Sequence, residues 1–203
     1  MRADNIVNPT FCQFGKDYAD APDGYVYIYA NHVTDETKLE VQKPGEITLM
    51  RVPAESLLDR ERYEFFAGPG ADNQPSWSSR FEERVPVFAD SNGVGWNTSV
   101  SYNRGLGRYF LITEHTSSAD SNIGIFEASA PWGPWSTVYY GKFGKEAGLQ
   151  QTTFFYNFSN KWLSSDGLEF VLIFTGIRSN DSWNTVAGDF ELQDTVDGGS
   201  LEN

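Results

Sequence analysis

GYVYIYANH (Gly24 to His32), GRYFLITEH (Gly107 to His115) and GLEFVLIFT (Gly167 to Thr175) decide the reading of this chain. Each opens on a glycine suited to a tight turn, continues as a strand rich in aromatic and β-branched residues, and closes on polar ones. Aligned on the glycine, both histidines of the sequence, His32 and His115, fall eight residues later. A repeat of this kind sets the architecture before any single motif does.

Working outward, a second strand precedes each of the three: NPTFCQF (Asn8 to Phe14), WNTSVSY (Trp96 to Tyr102) and FSNKWL (Phe158 to Leu163). Asn103 and Gly105 between the second pair supply the left-handed backbone a hairpin needs. Third strands follow at Glu46 to Val52, Asn122 to Ala128 and Thr185 to Leu192, and fourth strands at Tyr63 to Phe66 and Trp135 to Tyr140. The third unit ends before a fourth strand. The turn glycines lie 83 and then 60 residues apart, so the first unit holds an insertion. The residues from Ala71 to Ser79 read as a polar loop in it, with Val85 to Phe88 as an extra edge strand and Pro53 to Leu58 as a short helix. The expected fold class is all-β: a partial β-propeller of about three four-stranded antiparallel blades in one domain, 1–203. Its blade-like units cover about 8–68, 84–141 and 152–192, with a polar tail over 193–203.

Composition agrees. Aromatic residues make up 15% of the chain and 19 residues are glycine, which suits pleated strands and tight turns. A net charge of −13 with 15 basic residues opposes nucleic-acid binding, which needs clustered Lys and Arg to displace counterions. The lone cysteine, Cys12, excludes an intrachain disulfide, and no Cys/His cluster has zinc spacing. The N-terminus has no apolar leader core and no run approaches the ~18 apolar residues of a membrane span, so a soluble chain without an export signal is expected. No Gly-rich phosphate loop or nucleophile elbow occurs. No cofactor is expected; the loop holding Asp17, Asp20 and Asp23 reads as a solvated hairpin loop or as the seat of a structural calcium.

SYN (Ser101 to Asn103), GRY (Gly107 to Tyr109) and IGIFEASAPWGPW (Ile123 to Trp135) together resemble the blade phrase of five-bladed propellers such as glycoside hydrolase family 43. ITLMRVP (Ile47 to Pro53) and KWLSSDG (Lys161 to Gly167) are similar to a related group known as a domain of unknown function, some of whose members cleave polysaccharides. The resemblance covers roughly residues 8 to 192. It implies an extracellular or periplasmic setting, a carbohydrate ligand, and hydrolysis of a polysaccharide by carboxylate acid/base catalysis. The alternatives are a non-catalytic carbohydrate-binding propeller and a self-associating fragment. Those families close five blades. Three units therefore imply the C-terminal part of a longer protein, a homodimer completing a six-unit ring, or an open array with shielded ends.

In a radial arrangement the first strand of each blade lines the axis. Strand starts would then bring Asn8, Trp96, Asn97, Asn160 and Lys161 to one mouth, and second-strand ends would bring Asn31, His32, Glu114 and His115. Glu114 beside His115 is the catalytic candidate, because glycosidic cleavage needs a carboxyl that protonates the leaving oxygen. Asn8, His32, Trp96, Asn97, Lys161 and Trp162 are the substrate-binding candidates. Each histidine reads equally as a hydrogen-bonded imidazole closing a strand. Trp96, Trp132, Trp135 and Trp162 read either as packing between blades or as platforms on which a sugar ring stacks. Asp166 and Gly167 read as a turn. Asp90 to Trp96 resembles the Asp-box of sialidases, but Ala89 and Ser91 stand where its Ser and Asp belong, so it too reads as a turn.

Overall fold

The computed structural model describes residues 5–33, 40–71, 74–117, 119–146 and 152–193. They form three antiparallel sheets in chain order. Sheet I runs β1 (Asn5–Phe11), β2 (Tyr25–Val33), β3 (Glu46–Pro53), β4 (Glu64–Pro69) and β5 (Pro75–Ser78). β6 (Pro86–Ala89) also pairs with β3 at Glu46–Thr48, whereas β4 takes Met50 and Arg51, so two strands share one edge of β3. Sheet II is β7 (Ser99–Asn103), β8 (Arg108–Thr113), β9 (Asn122–Ala128) and β10 (Ser136–Lys142), and sheet III is β11 (Phe154–Phe158), β12 (Glu169–Thr175) and β13 (Asn184–Asp189). The one α-helical turn among the described residues, α1, is Phe143–Glu146. Among the described residues no helix is long and apolar enough to cross a membrane.

The repeat is structural as well as sequential. Thr10, Ser99 and Phe158 each pair with the residue five places after the turn glycine: Tyr29, Ile112 and Leu172. Residues alternate between faces along a strand, so one strand can serve two interfaces. In β8, Tyr109 and Leu111 join Tyr27, Tyr29, Ile47 and Leu49 in the core between sheets I and II. Phe110 and Ile112 turn the other way, to Tyr156, Phe158, Leu172 and Phe174 of sheet III. That double burial is why β8 reads as an almost unbroken apolar run. The outer side of sheet I is covered by its own excursion: Ile28, Ala30, Met50 and Val52 lie under Tyr63 and Phe65.

The first strands converge. β7 touches both β1 and β11. Gln13, just beyond β1, makes a parallel bridge to Ser101, donating its N–H to Val100 O at 2.9 Å and accepting from the Tyr102 N–H at 2.8 Å. Neighbouring inner strands that run parallel, with sheets packed face to face outward from them, give the radial plan of a propeller, not a sandwich.

Several boundaries differ from the sequence reading. The strand predicted over Phe158 to Leu163 is β11 at Phe154–Phe158, and Asn160–Trp162 form a 3-10 turn beyond its end. A break in the pairing between Phe154 and Asn157 hides the alternation that would have marked it. Pro53 to Leu58 holds only a 3-10 turn, Ala54–Ser56. Within the predicted polar loop, Pro75–Ser78 is a strand, β5; residues 72 and 73 lie outside the described residues, as does the predicted tail from 194 onward. Sheet II holds four strands and sheet III three, as read; sheet I holds six, β5 being added to the four strands and the edge strand expected. The Asp17, Asp20 and Asp23 carboxylates diverge: Asp20 pairs with Arg104 at 2.9 Å, Asp23 accepts from Tyr25 N–H and Tyr27 O–H, and Asp17 is exposed. Among the described residues no three His, Cys, Asp or Glu side chains gather as metal ligands.

Candidate functional site

The starts of the inner strands share an unusual backbone. β1 breaks register between Val7 and Thr10 around Asn8, at φ 52°, and β11 does so between Phe154 and Asn157 around Phe155, at φ 57°. Ahead of β7, Gly95 takes φ 70°. Asparagine and glycine tolerate left-handed φ, but for a bulky aromatic it is a costly outlier held only by its surroundings. Beside these points the side chains are open: Asn8 is exposed, Trp96 is 39% exposed and Phe155 is 48% exposed.

These segments are stitched together. Asn8 Nδ2 donates to Trp96 O at 3.1 Å, and Tyr156 O accepts from Ser99 Oγ at 2.9 Å and from Asn97 Nδ2 at 3.5 Å. The segments that carry Asn8, Trp96, Asn97 and Phe155 are thus joined at the starts of the three inner strands, with two amides and two aromatic rings on neighbouring segments.

What holds Phe155 is Glu114. It is 1% exposed, and its Oε1 accepts the Phe155 N–H at 2.7 Å while Oε2 accepts the Ala119 N–H at 3.3 Å. Burial pushes its carboxyl above the ordinary glutamate range, opposed by those two main-chain donors. Asn31 does the same work one sheet earlier. Fully buried, it donates from Nδ2 to Gly95 O at 2.6 Å and accepts at Oδ1 from Thr98 Oγ1 at 2.8 Å. Asn31 and Glu114 both stand seven residues after the turn glycine, so one repeat position ties each sheet to the start of the next inner strand.

The repeated histidines look elsewhere. His32, at the end of β2, has Nδ1 2.9 Å from Glu46 Oε2 and Nε2 3.4 Å from Arg84 Nη2. Because a guanidinium only donates, Nε2 is the acceptor and Nδ1–H faces Glu46. His115 is 6% exposed and stacks on Tyr140 of β10 at 3.7 Å and 9°, with Nδ1 3.0 Å from Thr116 Oγ1. Burial lowers its pKa, against the opposing pull of Asp90 and the Gly141 and Ile123 backbone. Their side-chain partners lie on outer strands and in loops: Glu46 of β3 and Arg84 for His32, Tyr140 of β10 and Thr116 for His115. Asn160, Lys161 and Trp162 follow the end of β11, so they sit at the opposite end of sheet III from Phe155; their placement at the mouth rested on the misread strand. Trp162 meets Trp183, which precedes the start of β13, at 6.1 Å between ring centroids. Trp132 and Trp135 pack against the core between sheets I and II.

Sequence reasoning missed Phe155. The repeat does not carry one onto the other: Asn8 lies two residues before Thr10, whereas Phe155 lies three before its equivalent Phe158, so the spacing of the first unit points to Tyr156 instead.

A family described as a domain of unknown function, DUF4185, matches residues 4–167. The chain belongs to that family. No functionally curated protein matches this DUF4185 chain in sequence. Solved structures similar to it include a protein of Bacteroides ovatus ATCC 8483 provisionally assigned as a hydrolase (17% identity, TM-score 0.47, 77% of this chain and 36% of that one). Another is a thermostable family-43 glycoside hydrolase (15% identity, TM-score 0.46, 96% and 57%). A third is an α-L-arabinofuranosidase of Clostridium thermocellum ATCC 27405 (15%, 0.40, 90% and 56%). The DUF4185 chain therefore spans 36% to 57% of the lengths of these structures.

Proposed function

We propose that this chain binds a carbohydrate at the mouth of the hub, with Trp96 and Phe155 as stacking rings and Asn8 and Asn97 as hydrogen-bonding amides. The observation that carries this reading is Phe155: an exposed aromatic in left-handed backbone, held by a fully buried carboxylate. Maintaining such a conformation is worthwhile where the ring has a ligand. A sugar suits the set, because its apolar face covers an aromatic ring while its hydroxyls need partners that both donate and accept, as amides do. The net charge of −13 favours a neutral glycan.

On this reading Glu114 is a positioning residue. A general acid must present an O–H to the leaving oxygen, and both Glu114 oxygens already receive main-chain N–H groups. Hydrolysis, if this chain contributes to it, uses other carboxyls. His115, stacked and buried, supports Tyr140.

Calorimetric titration with soluble arabino-, xylo- and cello-oligosaccharides tests the proposal. Trp96→Ala and Phe155→Ala are each expected to weaken binding by about tenfold, the worth of one stacked ring, with an unchanged melting transition for Trp96→Ala. Unaltered affinity in both variants overturns the reading. Reducing-end release that survives Glu114→Gln in proportion to folded protein would confirm that Glu114 is outside the chemistry.

A further inference from the structure

A second groove lies on the rim, between sheets I and II and away from the inner strands. Its volume is about 630 Å³, within the range of small-ligand sites. Phe88 and Phe126 give it an apolar floor, the rings meeting at 4.5 Å. Trp135 and Tyr140 form aromatic walls, and the turn at Asp90 and Asn92 forms a polar edge.

That edge is organised in advance. Asp90 Oδ1 accepts the Asn92 N–H at 2.8 Å, Oδ2 accepts the Tyr140 O–H at 2.7 Å, and Asn92 Nδ2 donates to the Tyr140 oxygen at 3.0 Å. His115 packed flat behind Tyr140 fixes the phenol ring in that orientation. Trp135 presents its ring to the groove while its indole N–H edge is enclosed beside Gly133.

We infer that this groove is a second glycan subsite, taking one neutral pyranose or furanose unit. The ring would lie against Trp135 and Tyr140, and hydroxyls would donate to the Asp90 carboxylate and accept from the amide of Asn92. Asp90 disfavours an anionic sugar by like-charge repulsion. The ligand class rests on the carbohydrate reading of the hub mouth; the groove and its donors and acceptors do not.

The test follows indole N–H resonances of the ¹⁵N-tryptophan-labelled chain during titration with arabino-, xylo- and cello-hexaose at millimolar concentration. Trp135 reports the rim and Trp96 the mouth, each assigned by substitution with phenylalanine. If Trp135→Phe fails to fold, the resonance is assigned by through-bond experiments on the unaltered chain. At least one sugar should shift the Trp135 resonance, and Asp90→Ala should weaken that response tenfold or more while leaving the Trp96 response intact. A Trp135 signal that stays still while Trp96 moves overturns the rim site and leaves the mouth standing. A Trp96 signal that stays still while Trp135 moves does the reverse, and stillness in both overturns both.

Discussion

Glu114→Ala is expected to cost about 3 kcal/mol or more of folding stability, since it orphans two main-chain donors and empties buried volume. The Phe155 and Ala119 N–H groups would both lose their acceptor. Glu114→Gln should cost less, about 1 to 2 kcal/mol, because an amide keeps one acceptor but turns a second donor toward an N–H. Denaturant unfolding measures both. A catalytic carboxyl at an open site would show the opposite: activity lost and stability kept. Phe155 is also the proposed sugar ring, so the alanine variant should bind glycan more weakly even where it remains folded.

Glu114 also predicts a pH dependence. Its carboxyl titrates above the ordinary range in the folded chain, with burial as the main cause. The folded state therefore holds the proton over a window where the unfolded chain, titrating at about 4.3, has released it. Stability falls as pH rises wherever the native state binds more protons, so this contribution is fully present below that ordinary value and is lost as pH climbs through the raised one. The stability difference between the native sequence and Glu114→Gln should shrink in that direction. A difference that grows with pH would mean the two N–H donors outweigh burial.

Gly95→Ala is the second large effect, expected at about 2 to 4 kcal/mol. The backbone there has φ 70°, and an added Cβ would come 2.6 Å from Glu114 Cβ and 2.9 Å from its carbonyl oxygen. Left-handed strain contributes about 1 kcal/mol, and the close contact supplies the rest. Gly95 O is also the acceptor for Asn31, so the same substitution strains both ties between sheets. The melting temperature should drop by several degrees, with glycan affinity falling alongside as Trp96 is displaced. A melting temperature within one degree of the native chain would show that the Gly95–Glu114 approach is not close in solution.

Much of the fold was legible because its signals are local. β2, β8 and β12 announce themselves through a turn glycine followed by a run of aromatic and β-branched residues, and β6 and β9 through short apolar runs between turns. β11 was misplaced because its alternation breaks at Phe155, where the residue that interrupts the pattern is the one the site uses. The site was legible only in part. Spacing singled out Asn31, His32, Glu114 and His115 as strand ends, but not that Asn31 and Glu114, the position before each histidine, are the ones that tie one sheet to the next inner strand.

By itself the sequence determined an all-β chain of three glycine-led units, because turn chemistry and side-chain alternation act within a few residues. Only the tertiary structure decided that Glu114 serves as a tie, that Phe155 stands open at the hub and that a second groove exists. Each depends on groups far apart in sequence, Glu114 with Phe155 and Asp90 with Tyr140, and residue spacing carries no record of such partners.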